Sequence, residues 1–188
     1  AGKSTLLRLL SGELSPTAGS VTLDGLPLTA RPAWDLACRR AVMPQASRIA
    51  FPFTAAEIVR LGVDGLGRGL GAPERQAAVE RALARADVSH LAGRSVTSLS
   101  GGEQQRVHFA RALAQLDVGR SVAHRQVLFL DEPIASLDLA HQLALLDVAS
   151  AVARGGVAVV AVLHDLQLAG DRADRLHVLH EGRLVGSG

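Results

Sequence analysis

The chain has 188 residues, 48% of them hydrophobic and 20% charged, enough for one domain with a well-buried core or one core carrying a smaller subdomain. Its formal net charge is only +2, and no run of lysine or arginine provides the electrostatic footprint of a nucleic-acid binder. The longest strongly apolar stretch, Val157 to Leu163, falls far short of the roughly 20 residues a membrane helix needs, and a single cysteine, Cys38, excludes an intramolecular disulfide.

In chain order, Ala1-Gly2-Lys3-Ser4-Thr5 leads into apolar positions Leu6, Leu7, Leu9 and Leu10, which predict a helix ended by Ser11-Gly12. Val21 to Leu23 reads as a strand entering an Asp24-Gly25 turn. Ala41 to Met43 reads as a short strand stopped by Pro44. Thr54 and Glu57 have capping-box spacing and open a helix. Gly62 to Gly71 reads as a flexible turn, and a second helix begins near Pro73 with Val79, Leu83 and Ala86 on one face. A long helix follows Ser100, with Ala110, Leu113 and Leu116 inward. Val127 to Leu130 is an apolar strand, Leu139, Leu143 and Leu146 mark a helix, and Val157 to Leu163 and Leu176 to Leu179 are two further strands. Continuous apolar runs alternating with amphipathic helices predict a parallel sheet covered on both faces.

Three stretches carry chemistry. Arginine occurs 19 times and lysine once, at Lys3; a guanidinium fork and a compact ammonium are not interchangeable, so that position calls for a narrow cationic tip. Gly2-Lys3-Ser4-Thr5 matches the end of a phosphate-binding loop, in which backbone N–H groups and the lysine meet phosphates and a hydroxyl binds Mg²⁺. Val127 to Pro133 is a strand ending in Asp131 and Glu132, which a parallel sheet delivers to its carboxyl edge, where ligands bind. There Asp131 suits Mg²⁺ and Glu132 suits a general base. Leu99-Ser100-Gly101-Gly102-Glu103-Gln104-Gln105 opens a helix with a serine cap and with glycines that leave N–H groups open to an anion. Each has a plain alternative: a chance Gly-Lys-Ser, an acidic strand end and an ordinary capped helix.

Together these residues closely resemble the ABC ATPase family. Leu99 to Gln104 match its signature. In the family's order stand the P-loop end at Gly2 to Thr5, the glutamine Gln45, the strand ending at Asp131 and Glu132, the segment Ser136-Leu137-Asp138, and His164. The resemblance implies an α/β fold: a P-loop NTPase core with a mainly parallel sheet, a helical subdomain and a small antiparallel β portion. It implies one domain over 1–188 that is incomplete at its N-terminus, with 1–53 and 117–188 as nucleotide-binding core and 54–116 as helical subdomain. Because the strand and first half of the phosphate loop are missing from the sequence, residues 1–188 alone are expected to bind ATP weakly.

The same resemblance implies ATP and Mg²⁺ as cofactors. Gly2, Lys3, Ser4 and Thr5 would bind the nucleotide, with Ser4, Gln45 and Asp131 at the metal. Glu132 would act as base with His164 and Gln45, while Ser100, Gly101, Gly102, Gln104 and Asp138 would meet the nucleotide of a second copy paired head to tail. The region from Ile49 to Gly62 would face transmembrane permease subunits, with a periplasmic substrate-binding protein engaged indirectly. No nucleic acid is expected, and the place would be peripheral, on the cytoplasmic face of the bacterial inner membrane. Ile134, where the family commonly has threonine, has no expected role.

Ser11 to Pro16, Arg40 to Gln45, Phe51 to Thr54 and Ser136 to Gln142 look most like the ATPases of bacterial haem importers. Ferric-siderophore and cobalamin importers are the alternative, as is a non-transport ABC ATPase. The DNA-repair class is disfavoured, because fewer than a hundred residues separate Lys3 from Ser100. No haem ligand is expected among His90, His108, His124, His141, His177 or His180, which read as surface or structural.

Overall fold

The structure is a computed structural model, and it describes residues 2–45, 51–66 and 70–188. Its elements are α1 (Lys3–Leu10), β1 (Thr22–Leu23), β2 (Leu26–Pro27), α2 (Ala33–Arg39), β3 (Arg40–Met43), α3 (Ala55–Asp64), α4 (Ala72–Arg85), α5 (Gly101–Gly119), β4 (Gln126–Asp131), α6 (Leu139–Arg154), β5 (Val157–Val162), α7 (Leu166–Arg172), β6 (His177–His180) and β7 (Arg183–Ser187). Short 3₁₀ turns connect several of them.

The central sheet has the order β3-β4-β5, all parallel. Its middle strand is apolar on both sides, as helices on both faces require. Successive side chains alternate between those faces. Phe129 and Val162 join Leu7 of α1 in a small cluster with Val127 at its margin. Leu128 and Leu130, both fully buried, face the larger core that also takes Ala41, Met43, Val59, Val79, Leu113 and Leu146. Burying one such leucine contributes about 1.5–3 kcal/mol.

Several expectations need correction. The strand Leu176 to Leu179 belongs not to the parallel sheet but to an antiparallel hairpin, β6–β7. Its turn has Glu181 at φ +47° and Gly182 at φ +75°, the two left-handed residues that a tight hairpin demands. The expected Asp24-Gly25 turn joins β1 to β2 in the same way. β5 is not buried on both faces: Val157 and Val162 are covered but Val160 is 37% exposed, because β5 is the edge of the described sheet. On α6 the inward face is Leu145, Leu146, Ala149 and Val152, while Leu139 is 64% exposed. Asp138 caps that helix, so Leu139 falls at its first position, ahead of the packed turns.

Gly62 is not the start of a loop either, since α3 runs to Asp64. Of the expected Gly62 to Gly71 turn, residues 67–69 lie outside the described residues. A Cβ at Gly62 would lie 2.4 Å from the Arg111 carbonyl oxygen, and one at Gly119 would lie 2.3 Å from that of Cys38. Bare backbone at both points lets α5 press against α3 and α2. The expected capping box forms at Thr54–Glu57, and Ser100, expected as a helix cap, forms one with Glu103 in the same spacing.

Side-chain amides tie α5 and its neighbours to main-chain carbonyls. Gln115 Nε2 donates to Ala37 O at 3.0 Å and Arg40 O at 2.9 Å. Gln126 Nε2 donates to Cys38 O at 2.9 Å and Leu116 O at 2.8 Å. Gln142 Nε2 donates to Leu137 O at 2.9 Å, and the Arg111 guanidinium reaches Val42 O at 2.7 Å. α5 runs on to Gly119, past position 116 where the helical subdomain is expected to end.

Candidate functional site

Register alone brings three distant residues together. Met43 pairs with Leu130 and Asp131 pairs with Val162, so Gln45, Glu132 and His164 all emerge just beyond one edge of the sheet. Gln45 Nε2 donates to Glu132 Oε2 at 2.7 Å, and His164 Nε2 lies 2.6 Å from Glu132 Oε1. The carboxylate is therefore held at both oxygens.

Its backbone is held as well. Glu132 has φ +49°, a left-handed conformation that costs a non-glycine residue on the order of 1–2 kcal/mol and persists only where surroundings enforce it. The Glu132 N–H donates to Val162 O at 3.2 Å, and its carbonyl accepts from Ala135 N at 3.3 Å and from Gln105 Nε2 at 2.9 Å.

Beside it, the Ser4 hydroxyl donates to Asp131 Oδ1 at 2.9 Å, across 127 positions of sequence. Asp131 is 6% exposed. Ser4 lies in the first turn of α1, behind Gly2 at φ +97°; the hairpin turn closes on that glycine, since its Cβ would sit 3.3 Å from Gly182 Cα. Lys3, half-buried at the head of α1, forms no ion pair among the described residues. Thr5 follows Ser4, exposed. A hydroxyl and a carboxylate are hard oxygen ligands, a donor set that fits Mg²⁺, which takes one or two protein oxygens and completes its shell with phosphate and water.

A second group lies along the start of α5. Ser100 caps the helix, accepting from Glu103 N at 3.3 Å, while its own N–H donates to the Glu103 carboxylate at 2.7 Å; that backbone hydrogen bond holds the Glu103 carboxyl below its ordinary range. Gly101 and Gly102 rest against Ser136 and Leu137: a Cβ on Gly102 would be 2.9 Å from Ser136 O. Asp138 accepts from His141 N at 2.9 Å, and His141 Nδ1 sits 2.8 Å from both its oxygens. These hydrogen bonds hold the Asp138 carboxyl down. Gln104 Nε2 donates to Leu99 O at 2.9 Å.

Gln105 links the two groups, a role that reading the sequence does not assign to it; its place one helical turn after Gly101 is the available signal. His108 is not an ordinary histidine. It is 8% exposed, neither ring nitrogen has a partner among the described residues, and burial, aided by the Arg111 charge, pushes its pKa down to about 4. Of the segment expected to face membrane subunits, Ile49 lies outside the described residues, while Phe51 and Phe53 are 68% and 40% exposed with ring centroids 6.2 Å apart.

A family model described as ABC transporter matches residues 1–135. The hemin import ATP-binding protein HmuV of Agrobacterium fabrum is 52% identical over 188 residues, covering all of this chain and 71% of that protein. HmuV of Nocardia farcinica is 50% identical over the whole chain and 62% of its own length. Among solved structures, a dimeric bacterial ABC transporter cassette superposes with a TM-score of 0.83 at 26% identity, over the whole chain and 80% of the cassette. A dimeric ATP-binding cassette in a post-hydrolysis state, bound to ADP and Pi, gives 0.81 at 25% identity and the same coverage.

Proposed function

This chain belongs to the ABC transporter family, and from that premise we propose that it is the ATP-hydrolysing subunit of an importer that carries haem across the bacterial inner membrane. The single observation that carries the catalytic part is the Glu132 carboxylate, gripped by Gln45 and His164 beside the Ser4–Asp131 pair. The haem part rests on relatives at about half identity that are named for hemin import.

On this reading Gly2, Lys3, Ser4 and Thr5 receive the phosphates at the head of α1, where N–H groups and the helix dipole favour an anion. Mg²⁺, when bound with the nucleotide, neutralises phosphate charge, and Ser4, Asp131 and Gln45 are the residues that would hold it. Glu132 accepts a proton from the attacking water as the bond from the terminal phosphorus to its bridging oxygen breaks. His164, fixed against Glu132, contacts the terminal phosphate and senses its hydrolysis. Ser100, Gly101, Gly102, Gln104 and Asp138 act on the nucleotide of a second copy, head to tail. Residues 54–116 form the helical subdomain and the region from Ile49 to Gly62 faces permease subunits, so the protein sits peripherally on the cytoplasmic face.

The test is reconstitution of the full-length protein with its membrane subunits in lipid vesicles. Haem-loaded binding protein should stimulate ATP hydrolysis, and Glu132→Gln should abolish it. Stimulation only by a siderophore-loaded protein overturns the substrate, and hydrolysis indifferent to Glu132→Gln overturns the mechanism.

A further inference from the structure

Gln105 is 8% exposed and both ends of its carboxamide are engaged. Nε2 donates to the Glu132 carbonyl at 2.9 Å, and Oε1 accepts from the Ser136 N–H at 3.3 Å. These two partners flank the turn that carries the chain from the catalytic strand β4 towards Asp138. One rigid side chain on α5 thus spans the carboxylate strand and the segment under Gly102, where there is no room for a Cβ.

We propose that Gln105 is a positioning residue for hydrolysis: it fixes the left-handed Glu132 backbone and ties it to the helix that begins at Ser100. The inference rests on the ATPase reading above. The geometry requires a neutral amide. Glu132 at φ +49° is aimed by its backbone, and its carbonyl has only the Ala135 N–H as another partner within the described structure. Removing the Gln105 donor lets that peptide relax, swinging the carboxylate away from Gln45 and His164. An acceptor in place of the donor pushes it away. Because α5 also bears Ser100 at its cap, movement of the helix start reaches the catalytic carboxylate through this amide.

The role predicts a specific kinetic split, because misplacement of a reacting group by a fraction of an ångström lowers turnover while leaving ground-state binding alone. Gln105→Glu, nearly isosteric, keeps the acceptor for Ser136 and loses the donor; Gln105→Met loses both. In the full-length transporter complex, each should lower kcat about tenfold or more at saturating ATP, with KM for ATP within about twofold of the parent. The midpoint of thermal unfolding is measured alongside, so that kcat is referred to folded protein; should the methionine variant fail to fold, the glutamate variant decides. A kcat within twofold of the parent overturns the proposal, as does a loss matched by an equal rise in KM. Glu132→Gln, measured in parallel, separates the two levels. If it retains hydrolysis, the ATPase mechanism itself fails; if it is inactive while Gln105→Glu turns over normally, only the role of Gln105 fails.

Discussion

The imidazole of His164 and the carboxylate of Glu132 meet at 2.6 Å, just beyond the ends of a parallel strand pair, and Gln45 closes on the other oxygen from the third strand. A carboxylate held at both oxygens is aimed before any water arrives.

Removing either arm should therefore slow turnover without emptying the site. Loss of one hydrogen bond to a charged group, worth about 1.5–3 kcal/mol, corresponds to about a tenfold to hundredfold fall in kcat for His164→Ala or Gln45→Ala. Steady-state ATPase assays beside equilibrium nucleotide binding read the difference; equal losses in both would contradict it.

The two glycines after Ser100 should behave differently. Alanine at Gly102 collides with the Ser136 carbonyl, whereas at Gly101 the nearest atom is an ordinary 3.7 Å away. Gly102→Ala should lower unfolding stability by about 1–3 kcal/mol. Gly101→Ala should leave stability within about 0.5 kcal/mol yet weaken the ATP-dependent dimer, followed by size-exclusion chromatography in a Glu132→Gln background. Equal destabilisation of both would contradict the packing.

How much of this is legible in the sequence varies with the physics. Ser100–Glu103, Thr54–Glu57 and Asp24-Gly25 are local patterns, and each forms as the residues spell it. Glu132 and Asp131 are readable because a buried apolar strand ending in carboxylates has few other uses. Gln105 is not, because its two partners are main-chain groups 27 and 31 positions away, and a backbone carbonyl has no sequence signature. The fate of Leu176 to Leu179 turns on the left-handed pair Glu181-Gly182, because an apolar run alone does not distinguish a hairpin strand from a parallel one. Gly62 looks like loop punctuation, but close helix approach, a tertiary fact, explains it, as it explains Gly119.

That approach is testable. Gly62→Ala and Gly119→Ala, each placing a Cβ within 2.4 Å of a carbonyl oxygen, should each destabilise by about 1–3 kcal/mol through forced helix displacement. The urea midpoint should fall with little change in slope. Neutral or stabilising effects would mean the helices separate freely.

Acid should act through His108. With an ordinary value of 6.5 and a folded value of about 4, the unfolded chain takes up this proton first, so stability is full above about pH 6.5 and is lost as pH falls towards 4, by about 3 kcal/mol. Glu57, Glu103 and Asp138, held low by backbone hydrogen bonds, also lose stability as pH falls, so the comparison must be with His108→Leu. Neither ring nitrogen has a partner among the described residues, and that variant should match the parent at pH 7 and exceed it at pH 4 in urea denaturation. Parallel pH curves would exclude the histidine.

The reliance on glutamine carries a vulnerability to chemical ageing. At Gln105, Gln115, Gln126 and Gln142 the carboxamide NH₂ points at main-chain carbonyls. Hydrolytic deamidation of any of them would exchange a donor for a negative charge facing the oxygen it once held. A stored preparation would then lose its joints one at a time, each by a mass increase of a single unit, with the buried members protected for as long as the chain stays folded.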